Sequence, residues 1–403
     1  MRIMPPEGEA LNVIVVGAGI IGLSTARYLR RLGAEVTIID PAPALGASHA
    51  AAGMIAPAAE VVWGQTPLYP LMQTSAQMYP EFAAEVASAA AADLGFTDAG
   101  TLVCAGDRAD LQALRELREA QSLSGSATEL ITGSAARRIE PSLSPAVAGA
   151  VDIPGDRSID PRRVSAALLS ALTADSGSSL IRHEVAELLK DGGATKGVEL
   201  SDGRRLAADQ VILCAGSSAN EIVGAPQLPI REVWGDVLRL RAPAEATPLL
   251  TRTIRGLVNG RSVYLVPRPD GEIVLGASSR EDGLSGTPAG AIHRLLADGQ
   301  RLVPGILDAE ITDINTRARP GSPDDLPMIG RIDPGCVVST GYFRHGILLA
   351  PFGGRLGAEL TVGTATNWLP DGALESVSPH RFTTDHSTDH TNHATAHSMR
   401  RIS

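Results

Sequence analysis

Residues 11–22 read Leu-Asn-Val-Ile-Val-Val-Gly-Ala-Gly-Ile-Ile-Gly. Leu11–Val16 is apolar apart from Asn12 and stops at a glycine, the pattern of a strand buried on both faces of a parallel sheet. Ile20–Leu32 then reads as a helix, with Gly33 placed to close it. Glu35–Asp40 reads as a second buried strand. Strand, glycine turn, helix and strand in this order begin a βαβ unit. The glycines fit G-x-G-x-x-G: Gly17 for the tight turn, Gly19 for close approach of backbone to a pyrophosphate, and Gly22 for packing helix on strand. The helix N-terminus offers unpaired N–H groups and a positive dipole to phosphates. Asp40 ends the second strand, where a carboxylate can take ribose hydroxyls. The unit predicts dinucleotide binding without separating NAD from FAD.

The whole chain has 403 residues, enough for one large unit or two interwoven ones. Hydrophobic residues at 44% against 20% charged exclude disorder over most of it. A net charge of −10 and 3% aromatics argue against a nucleic-acid partner, which needs a basic footprint and stacking platforms. Cys104, Cys214 and Cys336 are few and far apart, fitting a reduced, cytoplasmic protein and no metal site. Met1–Ala10 lacks the pattern of a secretory signal, and the apolar run 11–23 is too short to span a bilayer, so no membrane partner is expected.

Further along, residues 67–92 read as a helix that Pro80 should kink or interrupt. Residues 99–105 read as a strand and 108–121 as a charged helix. Pro161–Ala174 reads as a helix with Asp160 as N-cap and Pro161 at its first position. Gly197–Leu200 and Arg205–Leu206 form a hairpin about Asp202-Gly203, leading into the strand Gln210–Ala215. Residues 230–240, 262–268 and 272–278 alternate as antiparallel strands. Residues 288–302 read as a helix with Thr287 as N-cap, 337–340 as a strand and 351–362 as a helix. The tail from 371 to 403 holds His380, His386, His390, His393 and His397 among polar residues and reads as disordered.

The stretch after Asp40 carries a resemblance. Residues 47–57, Ala-Ser-His-Ala-Ala-Ala-Gly-Met-Ile-Ala-Pro, resemble a segment of the D-amino-acid oxidase superfamily that runs along FAD to the flavin ring. Val-Ile-Leu-Cys-Ala-Gly at 211–216 looks like that superfamily's second nucleotide-side strand. Arg-Ala-Arg-Pro-Gly-Ser-Pro-Asp-Asp-Leu-Pro-Met-Ile-Gly at 317–330, Gly-Tyr-Phe-Arg-His-Gly-Ile-Leu-Leu-Ala-Pro at 341–351 and Val-Tyr-Leu-Val-Pro-Arg at 263–268 are similar to segments of the glycine-oxidase branch, associated with thiamine biosynthesis. In order, these pieces cover roughly residues 11–365.

The resemblance implies that Gly17, Gly19, Gly22, Ile20, Ile21, Asp40, Pro41, Ala47, Ser48, Ala52, Gly53, Met54, Val185, Tyr342, Phe343, Arg344, His345, Gly346, Ile347 and Leu348 hold FAD. It implies that Arg319 clamps a substrate carboxylate, that Tyr264 hydrogen-bonds the same group, that Arg344 sits beside flavin and substrate, and that Met54 lies near the flavin face. A planar guanidinium suits a carboxylate through two parallel hydrogen bonds. The competing reading of Arg319 is an ion pair with Asp324 or Asp325. The chain departs from the family pattern at Tyr342 (usually His), His345 (usually Asn) and Trp234 (often Lys). No cysteine occurs in 311–330, where sarcosine oxidases attach flavin, so FAD is expected to be non-covalent, with Cys336 near enough in sequence to need checking.

The expected fold is α/β: a Rossmann-like FAD-binding domain from 8–80, 160–227 and 311–370, interleaved with a smaller, mostly antiparallel substrate domain from 81–159 and 228–310. The expected activity is FAD-dependent oxidation of glycine or a small amine or D-amino acid, with oxygen as acceptor and imine and hydrogen peroxide as products. A homo-oligomer is expected. The alternative is a D-amino-acid dehydrogenase or sarcosine-oxidase-like enzyme with another acceptor or substrate.

Overall fold

The computed structural model describes residues 10–62, 64–123, 127–246 and 248–382. Its first sheet has six strands in the order Met328–Asp333, Cys336–Thr340, Gln210–Leu213, Asn12–Val16, Glu35–Ile39 and Ser178–Ile181. All pairs are parallel except Met328–Asp333 with Cys336–Thr340. Burial on both faces explains the unbroken apolar run: Val13 through Val16 are all at or below 4% exposed. Val13 and Val15 pack with the helices Ile20–Arg31, Leu68–Ala90, Pro161–Ala174 and Ala350–Val362. Ile14 and Val16 pack on the opposite face, against a three-stranded sheet made of Val185–Asp191, Ala194–Leu200 and Arg205–Ala207. Strand order reverses at Asn12–Val16, which opens a crevice at the strands' carboxyl ends.

The second sheet has eight strands in the order Glu310–Gly321, Arg231–Arg241, Glu272–Gly276, Arg261–Pro267, Thr253–Val258, Thr101–Ala105, Gly149–Ile153 and Glu129–Thr132. Only Thr253–Val258 with Thr101–Ala105 is parallel. The helix Ala289–Leu302 covers one face of this sheet through Leu295 and Leu302.

Most predicted elements are present. Asp160 caps its helix as expected, accepting from the N–H groups of Arg162 (2.8 Å) and Arg163 (3.4 Å). Four expectations need correction. Pro80 does not interrupt the helix Leu68–Ala90, because Ser75, Ala76, Tyr79, Phe82 and Ala83 bury the turns around it. Tertiary burial thus offsets the roughly 3 kcal/mol that an interior proline costs. Pro288 rather than Thr287 occupies the N-cap of Ala289–Leu302, since the Thr287 hydroxyl is engaged with that of Thr316. The Glu310–Gly321 strand, placed from 311 with the nucleotide segments, is an edge strand of the larger sheet, hydrogen-bonded along Arg231–Arg241. Residues 371–382 carry the short helices Ala373–Ser376 and Pro379–Phe382 instead of disorder, tied down by Ile329 N–H to Val377 C=O at 2.7 Å. His386, His390, His393 and His397 lie outside the described residues, while His380 meets the Arg331 carbonyl at 3.0 Å.

Candidate active site

A cavity of about 440 Å³ lies where the crevice of the first sheet meets the open face of the second. One end is built on the glycine turn. Gly17 has φ +99°, and a Cβ there would sit 2.5 Å from the Cys214 carbonyl oxygen. A Cβ on Gly22 would sit 1.9 Å from the Gly17 carbonyl oxygen, so Gly22 serves helix–strand packing and does not line the cavity. At Gly19 a Cβ would meet only the Ser48 Oγ, at 3.4 Å, and would otherwise fill open space. That Oγ accepts the first helical N–H, from Ile20, at 2.9 Å. Asp40 is fixed by N–H donors from Ala18 and Ala42, each at 2.7 Å. Backbone kept bare at Gly17 and Gly19, a helix N-terminus and the Asp40 carboxylate at the end of the neighbouring strand form a donor and acceptor set that fits the pyrophosphate and ribose of a dinucleotide.

The segment 47–54 runs from this end toward the second sheet. Arg268 holds it there: its buried guanidinium donates to the carbonyls of Ala52 (2.6 Å) and Ile159 (3.0 Å). Gly53, at φ +79°, would drive a Cβ to 1.9 Å from the Ile159 carbonyl oxygen. Met54 thereby reaches the cavity, as do Ala47, Ser48 and Ala52. From the other side come residues 342–348. Tyr342 is buried, its hydroxyl 2.8 Å from that of Ser339, and a Cβ on Gly353 would strike it. Besides Gly22, two residues expected at the cofactor, Pro41 and Val185, do not line the cavity, and Val185 packs with Leu188 and Val198.

Arg319 and Tyr264 occupy the floor of the far end. Arg319 lies across Gly235 of the neighbouring strand, where a Cβ would be 2.3 Å from the guanidinium nitrogens. Tyr264 lies across Gly276 in the same way. Arg319 donates to the Ser278 carbonyl at 3.2 Å and hydrogen-bonds Tyr264. Desolvation lowers its pKa from the usual guanidinium value, while Tyr264 beside it opposes the shift. The alternative partners are engaged elsewhere. Asp324 makes a two-pronged contact with Arg381, both arms at 2.9 Å, and Asp325 pairs with Arg231. Among the described residues no carboxylate is within ion-pairing distance of Arg319.

Sequence reasoning missed the groups that support this pair. Asp236 is fully buried; burial acts to raise its pKa, but hydrogen bonds from Arg280, Ser278 and Thr316 outweigh this and lower it. It grips Ser278, whose carbonyl in turn receives Arg319. Gly235 and Gly276 were legible in principle, since glycine inside a strand marks a close approach. Glu60, Arg255 and Ser262 also line the cavity. Glu60 pairs with Arg255 and lies 3.5 Å from Arg344. His345 is buried at 1% exposure, and its Nε2 accepts from Arg344 Nε at 3.2 Å. Burial, then Arg344 and Arg255, lower its pKa far enough to keep it neutral. Trp234 does not line the cavity; the residues of its strand that do are Gly235 and Val237.

Comparison with known proteins adds to this geometry. A family model described as FAD dependent oxidoreductase (DAO) matches residues 12–360. The glycine oxidase of Geobacillus kaustophilus is 31% identical over 358 residues, covering 87% of this chain and 92% of that protein. The bifunctional protein ThiO/ThiG of a Nostoc species is 31% identical over 354 residues, and the chain spans about half, 52%, of its length. The crystal structure of the Geobacillus kaustophilus glycine oxidase superposes with a TM-score of 0.83 at 30% identity, covering 93% of this chain and all of that one. Iminodiacetate oxidase from Chelativorans superposes with a TM-score of 0.81 at 29% identity, covering 91% of this chain and 98% of the other.

Proposed function

Because the chain belongs to the DAO family of FAD-dependent oxidoreductases, we propose that it oxidises glycine or a close relative, such as sarcosine, D-alanine or D-proline, at the carbon–nitrogen bond. The observation that carries this reading is Arg319: a guanidinium with no carboxylate partner among the described residues, held flat over Gly235 beside Tyr264 in a cavity that fits FAD.

In this reading FAD is held by the glycine turn, Asp40, the 47–54 segment and residues 342–348. Bound there, FAD would supply the two-electron acceptor for the hydride from the substrate's Cα, with oxygen as the final acceptor and hydrogen peroxide as its product. Arg319 and Tyr264 take the substrate carboxylate, a charge-assisted pairing that fixes the orientation of Cα. The amine enters neutral, so its own lone pair completes the imine as the hydride departs and no side-chain base is required. Water then converts the glycine imine to glyoxylate and ammonia. The match to half of a bifunctional ThiO/ThiG protein supports a supply role in thiamine thiazole formation, with the imine as the useful product. FAD is read as non-covalent, since Cys336 is a fully buried strand residue outside the cavity lining. The three buried free cysteines fit a cytoplasmic location; among the described residues no helix is long and apolar enough to cross a membrane. The proposed form is a homo-oligomer.

The test is oxygen uptake with peroxide detection across glycine, sarcosine, D-alanine and D-proline. Uptake with at least one and peroxide in equal amount is expected. No uptake with any of them by the FAD-loaded protein overturns the reading.

A further inference from the structure

The substrate end of the cavity holds more positive charge than one carboxylate needs. Arg255 and Tyr264 are directly opposed on neighbouring antiparallel strands, which places their Cβ atoms about 5 Å apart on one face. Tyr264 is therefore flanked by two guanidinium groups, Arg319 on one side and Arg255 on the other, and both act to lower a hydroxyl pKa that burial raises. Arg344 is the third cation. Against these three the described cavity lining offers a single carboxylate at this end, Glu60. Glu60 is divided between Arg255 and Arg344, and His345, the remaining titratable neighbour, is neutral. With Arg319 reserved for the substrate's own carboxylate, Arg255, Arg344 and Glu60 together carry one net positive charge, and Asp325, the other carboxylate that acts on Arg344, is itself paired with Arg231.

The burial is graded. Arg255 is 9% exposed, in the wall of the cavity. Its Nη2 lies 3.5 Å from the hydroxyl of Ser262, which is exposed, and Arg344 is partly exposed. Arg255, Arg344 and Ser262 line the same cavity as Arg319 and Tyr264, so the excess charge faces the space into which a substrate longer than glycine would extend. Burying a charge without a partner is costly, so a cation excess in such a place calls for an anionic ligand.

We propose that Arg255, with Arg344 and Ser262, forms a second anion subsite, and that the chain recognises small amino acids carrying a second carboxylate beyond the one held by Arg319. The proposal rests on the amino-acid oxidase reading for the Arg319 end. Arg255 sets specificity here and takes no part in the bond-breaking step.

The test compares two non-oxidisable ligands that differ only in the distal carboxylate: thiodiacetate and (methylthio)acetate. Their dissociation constants with the FAD-loaded protein are read from perturbation of the flavin spectrum or by calorimetry. Thiodiacetate should bind about tenfold or more tightly than (methylthio)acetate. Arg255→Met should erase that ratio. Glu60→Gln, which removes the competing anion, should raise it by roughly threefold or more. Opposite responses to the two variants separate a subsite from a general loss of structure. If Arg255→Met does not fold, the double variant Arg255→Met/Glu60→Gln removes both charges of the pair and should likewise show no preference. Equal binding of both ligands to the unaltered protein, or a preference indifferent to Arg255, overturns the proposal. If glycine is oxidised while the ligands bind equally, the subsite alone fails. If Arg255-dependent preference is found but no amino acid is oxidised, the subsite stands and the oxidase reading fails.

Discussion

Substituting Gly235 by Ala changes one methyl group and tests how the substrate clamp is built. The new Cβ would lie 2.3 Å from both terminal nitrogens of Arg319 and 2.4 Å from its central carbon. Ordinary contact begins near 3.4 Å, so the guanidinium must retreat by about 1 Å. Gly235 does not have a positive φ, so alanine adopts its backbone without strain. Only the end of a flexible side chain has to move. Stability should therefore stay within about 1 kcal/mol of the parent, helped by the lower chain entropy of alanine in the unfolded state. Activity should not stay. A misplacement of about 1 Å in a positioning group can cost on the order of a hundredfold in rate. We expect kcat/KM for glycine to fall about a hundredfold while the thermal midpoint shifts by a few degrees at most. Combining the change with Arg319→Lys should add little, since both disable one interaction. Near-parental kcat/KM in Gly235→Ala, or full additivity with Arg319→Lys, would refute the reasoning that Arg319 must lie flat over this glycine to work.

Three further outcomes follow from the same geometry. Arg319→Lys keeps the charge and loses the planar fork; kcat/KM for glycine should fall by roughly ten- to a hundredfold, with intact FAD binding checked by absorbance. Asp156 is buried, and its Oδ2 has no hydrogen-bond partner among the described residues; desolvation raises its pKa to about 7, against hydrogen bonds from Thr101, Ala59 and Ala58. The folded protein thus keeps a proton that the unfolded chain releases near pH 4, and stability should decline as pH rises between about 4 and 7, by up to about 1.4 kcal/mol per unit. Asp156→Asn should flatten that limb in denaturation curves taken at several pH values; an unchanged slope contradicts the assignment. Acid precipitation should leave the yellow colour in the supernatant, and colour held in the pellet would establish a covalent flavin.

The parts of the fold visible from sequence are those where local chemistry and tertiary role agree. The glycine turn needs bare backbone for its conformation and for its ligand alike, and Asp160 caps a helix whichever surface that helix meets. The Glu310–Gly321 strand was less legible. Ile311 and Ile314 are exposed on a sheet edge, and Asn315 and Thr316 are buried, so its pattern carries no clean alternation. Pro80 obeyed packing over its own propensity. In the site, Arg319 and Tyr264 were found through resemblance, whereas Arg255 and Glu60 lie about 200 residues apart in sequence and meet only through the fold. A lone arginine in the apolar strand Thr253–Val258 was the available signal, and its meaning depended on the neighbour that tertiary structure supplies.

The central claim is that a small amino acid, clamped by Arg319, reduces FAD in this cavity. The direct measurement is the visible flavin absorbance of the purified FAD-loaded protein during anaerobic addition of glycine, followed by admission of air. The account predicts bleaching with glycine, recovery in air with peroxide release, and bleaching that is strongly slowed in Arg319→Lys. Absorbance that stays unchanged with glycine, sarcosine, D-alanine and D-proline alike, or bleaching indifferent to Arg319, would contradict it.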